Sequence, residues 1–179
     1  PDEGGAPVHG ESLSIALRME AIVGALLALA RCEQRPLTVA SQEVDMGSLL
    51  LSERNRLAET ACLKRLQISF QAPDRVSIWS DPQMLRLLVS NLLQNAVAYT
   101  PTGGWIVSQL SAGVPPGGFR WTLANRTDEL TEEDLPKLFD RFWRKDAARS
   151  APEHAGLGLP LARALATALA LELRAEIPE

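Results

Sequence analysis

Two amides, two glycines and a cluster of arginines are the residues of this chain whose types and spacing suit chemistry. Asn91 and Asn95 lie four residues apart in "NLLQNAVAYTP", neighbours on one side of a helix. A side-chain amide oxygen is a neutral, hard ligand. It suits Mg²⁺, which takes oxygen donors and prefers few protein ligands alongside phosphates. The same amides can instead cap a loop or bond a neighbouring carbonyl, which for asparagines taken alone is the commoner arrangement. Gly156 and Gly158, in "HAGLGLPLA", fall where a loop turns into a helix. Glycines there let backbone N–H groups approach a phosphate, and the helix N-terminus adds its positive end. A lone Gly-x-Gly is a weak signal, because helix starts often carry glycine. In "LFDRFWRKDAARS", Phe139, Phe142 and Trp143 can anchor a loop in the core. Arg141, Arg144 and Arg149 can then reach polyphosphate oxygens. Alone, this stretch reads rather as aromatic core with solvated arginines.

The element that must position the amides is a helix from Asp81 to about Ala98. Asp81 can cap its free N–H groups, and Pro82 at the first helical position loses nothing. Leu85, Leu88, Val89, Leu92 and Ala96 form its buried face, with Asn91, Asn95 and Ala98 on the shoulder. A polar stripe beside a core stripe faces a cleft rather than bulk water.

Upstream, Glu11–Gln34 is a strong helix. Ile15, Met19, Ile22, Leu26 and Leu29 step by 4, 3, 4 and 3, a short heptad seam. Ala16, Val23, Leu27 and Ala30 widen the stripe, which fits a helical bundle and equally an ordinary amphipathic helix packed on its own domain. Ser48–Leu63 reads as a second amphipathic helix. "QISFQA" and "RVSIWS" alternate like strands around a turn at Pro73-Asp74, and "WIVSQL" and "FRWTLAN" do so around "AGVPPGG". "TEEDLPKLF" is a short helix, "LGLPLARALATALA" a longer one, and "LELRAEI" a final strand. Helices and strands mix without strict βαβ alternation. The expected class is α+β: a two-layer sandwich, with helices on one face of a mixed sheet.

The chain has 179 residues, of which 46% are hydrophobic, enough for one domain and an appendage. A net charge of −4 without a long basic run argues against nucleic acid as the main partner. Cys32 and Cys62 form neither a close pair nor a disulfide framework, which suits a reducing compartment. "AIVGALLALA", Ala21 to Ala30, is too short to span a bilayer. Pro1 to Gly10 reads as a polar loop without a signal peptide, so the expectation is a piece of a larger protein.

In this order and spacing the three stretches are far more specific than apart. The chain resembles the sensor histidine kinases of bacterial two-component signalling. "NLLQNAVAYTP" is similar to their N box, "LFDRFWR" to their F box and "GLGL" to their second glycine box. The resemblance covers about Ser41 to Glu179. It implies the Bergerat fold of the GHKL superfamily, binding ATP and Mg²⁺, with an ATP lid between the F box and the glycine loop. Residues 1–37 would hold the second helix of a dimerisation and phosphotransfer hairpin whose first helix is absent, and residues 38–179 the catalytic domain. By resemblance Asn95 is the Mg²⁺ ligand and, with Arg144, catalytic. Asn91, Tyr99, Asn125, Arg141, Arg144, Gly156, Leu157, Gly158 and Leu159 would join Asn95 around the nucleotide. The implied reaction is transfer of the ATP γ-phosphoryl to a histidine, then relay to a response regulator. The implied setting is a homodimer formed through the hairpin helix, in the cytoplasmic part of a membrane-anchored parent.

The sequence departs from the family pattern in places. Asn125 stands where the adenine-binding Asp of the first glycine box belongs, and Thr127 and Glu129 stand where glycines belong. Asn125 can still accept a hydrogen bond from an adenine amino group, without the charge. Asp128 is the alternative anchor, but register with the following helix favours Asn125. Ala98 replaces a basic residue of many relatives, and His154 replaces the first glycine of the loop. Neither His9 nor His154 has an acceptor-like context. Two other readings stand beside the kinase: an ATPase of the DNA-repair or chaperone class, and a degenerate, non-catalytic module acting through Glu11–Gln34.

Overall fold

A computed structural model describes residues 6–34, 39–73, 75–113, 118–128, 130–145 and 155–177. His154, Arg149 and Glu129 lie outside these residues, as does most of the expected lid. The order of elements is α1 (Ala6–Glu33), β1 (Gln42–Asp45), α2 (Met46–Arg56), α3 (Ala58–Leu63), β2 (Gln67–Gln71), β3 (Ser77–Ser80), α4 (Pro82–Tyr99), β4 (Trp105–Ala112), β5 (Phe119–Asn125), a 3₁₀ helix (Glu132–Lys137) and α5 (Gly158–Ala168).

β2 pairs parallel with β4, and β4 pairs antiparallel with β5, so this sheet is mixed. The parallel step needs a crossover, and α4 lies within it. β1 and β3 form a separate antiparallel ribbon. β2 and β3 are therefore not partners of one another, although only a few residues of sequence separate them. Each finds its neighbour at long range, where a buried face is available.

α4 begins as its sequence dictates. The Asp81 carboxylate accepts from the N–H groups of Gln83 and Met84, each at 3.0 Å, with Pro82 in the first turn. Its buried face is Leu85, Leu88, Val89, Leu93, Ala96 and Val97. Leu92 is only partly buried, because the helix is sandwiched and β4 covers the Leu93–Val97 side. α5 packs alongside α4, and Leu157, Leu161 and Leu165 join Leu85, Leu88 and Val89 in one core. The α+β sandwich expected from the pattern is present.

Four boundaries differ from the sequence expectation. α1 starts at Ala6, so His9 lies in a helix rather than a loop; Pro7 falls in the first turn, where its missing N–H costs nothing. The single helix expected over Ser48–Leu63 breaks at Leu57, whose N–H turns back to the Arg54 carbonyl while its side chain packs on the core. "TEEDLPKLF" forms a 3₁₀ rather than an α-helix, consistent with Pro136 inside it. "LELRAEI" forms no strand. The Leu171 N–H bonds back to Ala166, and Leu171 and Leu173 pack on the core without joining a sheet edge.

Candidate functional site

A cavity of about 760 Å³ opens between α4, the start of α5, the end of β5 and the segment after Phe142. Asn91, Asn95 and Tyr99 line it from α4, Asn125 from β5, and Arg144 from the loop beyond the 3₁₀ helix. Gly156, Leu157, Gly158 and Leu159 line it from the loop and first turn of α5. Nine of the ten residues singled out in the sequence thus meet around one space.

Arg141 is the exception. Its guanidinium pairs with the Glu33 carboxylate at the end of α1, and it is not among the cavity-lining residues. The two arginines of "RFWR" are three residues apart, and the chain turns sharply between them. Phe142 sits there at φ 65, a backbone region that disfavours residues with a Cβ. Phe142 itself is 60% exposed, contrary to the expectation that it anchors in the core. Phe139 does anchor, with the Arg163 guanidinium 3.7 Å above its ring, and Trp143 lines the cavity.

The two asparagines divide their roles. The Asn91 amide donates to the Leu87 carbonyl one turn back at 2.7 Å, which leaves its oxygen toward Gly158. Asn95 makes no such bond to a described residue and presents its amide to the cavity. Asn125 donates to the Arg126 carbonyl at 3.2 Å, so its side-chain oxygen stays available as an acceptor. Asp128 also lines the cavity, but Arg126 engages its carboxylate at 3.0 Å.

Gly156 is required by space and backbone conformation, while Gly158 is only close-packed. Gly156 has φ +69, and a Cβ there would fall 2.8 Å from the Phe142 carbonyl carbon. The Phe142 N–H also donates to the Gly156 carbonyl at 2.9 Å, closing the two ends of the loop on each other. A Cβ on Gly158 would meet the Asn91 oxygen at 3.3 Å, so its absence lets α5 start against α4. Leu157 at the cap offers no side-chain acceptor to the first N–H groups of α5. That terminus is therefore open to an anion.

Residues 80–178 match the family model of the histidine kinase-, DNA gyrase B- and HSP90-like ATPases. The chain belongs to this ATPase family. Sensor protein SphS of Synechococcus elongatus is 36% identical over 156 residues, 82% of this chain and 37% of SphS. The chain spans between 18% and 38% of the length of such curated relatives. Among solved structures, full-length ShkA in complex with AMPPNP superposes with a TM-score of 0.72 at 23% identity, over 89% of this chain and 32% of ShkA. Histidine kinase ThkA in complex with response regulator TrrA gives 0.65 at 18% identity, over 80% and 42%. Within the ATPase family, the chain is similar to the part of sensor histidine kinases that carries this domain.

In this ATPase domain three kinds of cavity residue escaped the sequence reading. Lys64 enters from the end of α3, and Lys145 from the turn after Arg144. Ala21, Ile22, Gly24, Ala25 and Ala28 of α1 form a further wall. For Lys64 no local signal exists, since it precedes the α4 motif by about thirty residues. The α1 wall has a faint one: alanine and glycine recur on one side of "AIVGALLALA", allowing close approach. Among the described residues no group of three or more His, Cys, Asp or Glu could hold a metal ion. No helix among them is long and apolar enough to cross a membrane.

Proposed function

We propose that the cavity binds ATP with Mg²⁺ and that the parent protein transfers the γ-phosphoryl to a histidine. The observation that carries this reading is the convergence of Asn95, Asn125, Arg144 and the Gly156–Leu159 turn on one space of nucleotide size. Asn95 is the metal ligand in this reading. The lack of a carboxylate cluster among the described residues fits Mg²⁺ held by one protein oxygen together with phosphates, rather than by a protein cage. Mg²⁺ supplies charge neutralisation between the phosphates when bound. The open start of α5 and Arg144 face the phosphate end, while Asn125 and Tyr99 hold the adenine. Phosphoryl transfer asks the protein mainly for positioning and charge neutralisation, which these groups supply. Arg141, held by Glu33, contributes to the α1 contact instead.

The remaining partners follow the same reading. Ile15, Met19, Val23 and Leu26 of α1 are exposed apolar residues that a second copy would cover in a dimer. A response regulator accepts the phosphoryl group, as ThkA's complex with TrrA suggests by analogy. The parent is membrane-anchored, with this region in the cytoplasm. A second reading is a non-catalytic, kinase-like module acting through α1. It is favoured by Thr127 and Glu129, which replace the glycines of the first glycine box.

Calorimetric titration with Mg²⁺·ATP separates the two. Micromolar-to-millimolar binding that disappears in Asn95→Ala supports the kinase reading; no binding supports the module. Transfer is tested on the full-length parent with γ-labelled ATP. Acid-labile, base-stable label is expected on a histidine other than His9 and His154, in a part of the parent beyond this chain. Label on His9 or His154 would refute that assignment.

A further inference from the structure

The last turn of α4 carries Asn95 and Tyr99 into the cavity, and its carbonyls need partners. The final four carbonyls of a helix have none within it. Here the Thr100 backbone N–H and hydroxyl both bond the Ala96 carbonyl, at 3.0 and 2.6 Å. The next two carbonyls are taken from outside. The Lys64 ammonium donates to Val97 and to Ala98, each at 2.7 Å, across more than thirty residues of sequence. The Lys64 carbonyl in turn accepts from the Gly103 N–H at 2.9 Å, so the same residue also holds the turn that follows α4. Lys64 is only half-buried, but burial still pulls its ammonium below the usual lysine range. A cation at a helix C-terminus also meets the negative end of the helix dipole. Lys64 lines the cavity together with Arg144 and Lys145, and Lys145 is engaged by Asp134.

We infer that Lys64 is a positioning residue for the nucleotide: its ammonium pins the last turn of α4, holding Asn95 and Tyr99 toward the cavity. This rests on the nucleotide reading of the site. Lys64 acts through α4, and its effect must therefore appear in Asn95-dependent binding. Removing the ammonium releases two carbonyls and frees the turn to fray. A flexible terminal turn must then be ordered when nucleotide binds, which weakens binding.

The test uses the whole chain, AMPPNP with and without Mg²⁺, and the variants Lys64→Met and Lys64→Arg. Lys64→Met is expected to lower Mg²⁺·AMPPNP affinity about tenfold and to speed amide exchange at Thr100 and Gly103 without nucleotide. Lys64→Arg, which still donates to two carbonyls, should restore most of both. The Lys64→Met loss should be smaller without Mg²⁺, because the turn that Lys64 pins holds the metal ligand Asn95. If Lys64→Met does not fold, Lys64→Gln, which is uncharged and can reach one carbonyl, replaces it. Wild-type binding that the uncharged variant matches within twofold, or a loss that is the same with and without Mg²⁺, overturns the role of Lys64 alone. A wild type that binds no nucleotide removes the reading of the site as well, and is distinguishable on that ground.

Discussion

The Lys145 ammonium lies 2.5 Å from the Asp134 carboxylate, tying the chain after Arg144 back to the start of the 3₁₀ helix. The same carboxylate oxygen accepts from the Thr131 N–H at 2.9 Å and hydroxyl at 2.8 Å, closing a capping box. The Lys145 hydrogen bond, followed by that of the Thr131 backbone, pulls the Asp134 carboxyl down from 3.8 to about 2. Because the folded value is depressed, the stabilisation is fully present above the unfolded carboxyl's range. It is lost as pH falls from about 4 through about 2. Melting temperature followed over that window should fall more steeply in wild type than in Asp134→Asn. Identical slopes would mean that the carboxylate is not held as described.

Asn95→Ala should abolish most Mg²⁺-dependent nucleotide binding and leave the fold intact. The side chain faces the cavity from the shoulder of α4, so its loss opens no hole in the core. The melting temperature should move by no more than about 3 °C, the range of substitutions away from packed positions. A collapsed melt with unchanged affinity would make Asn95 structural.

Asn125→Asp should strengthen adenine nucleotide binding. A carboxylate accepts a stronger hydrogen bond than an amide, by about 1 kcal/mol. Asn125 stands at the cavity edge of β5, and its present bond to the Arg126 carbonyl is a donor bond that an Asp would give up. Titration of both proteins with Mg²⁺·ATP is the check; equal or weaker affinity in the Asp variant would remove this position from the adenine site.

The two glycines should respond differently to alanine. At Gly156 the positive φ and the 2.8 Å approach to Phe142 backbone add together, and the cost should be about 2 kcal/mol or more. At Gly158 the backbone is helical and the nearest atom is the Asn91 oxygen at 3.3 Å, which a small side-chain shift relieves. Denaturant melts should show Gly156→Ala clearly destabilised and Gly158→Ala near wild type. Equal stabilities would contradict the loop closure between Gly156 and Phe142.

The sequence by itself determined what depends on near neighbours. The Asp81-Pro82 start of α4, the amide stripe at Asn91 and Asn95, and the glycines before α5 are all fixed by helical period and capping, which act within a turn or two. The α+β class followed from the same local periods. Only the tertiary structure decided which surface each stretch would meet. Arg141 and Arg144 look equivalent on paper, yet one faces Glu33 of α1 and the other the cavity, because the chain turns at Phe142 between them. β2 joined β4 rather than its sequence neighbour β3, since a strand pairs where a buried face is offered and not where the chain is short. Lys64 reached α4 from a different helix, and small residues of α1 became a wall of the site. Such contacts join residues tens of positions apart. They are set by how faces pack in three dimensions, which no local period encodes.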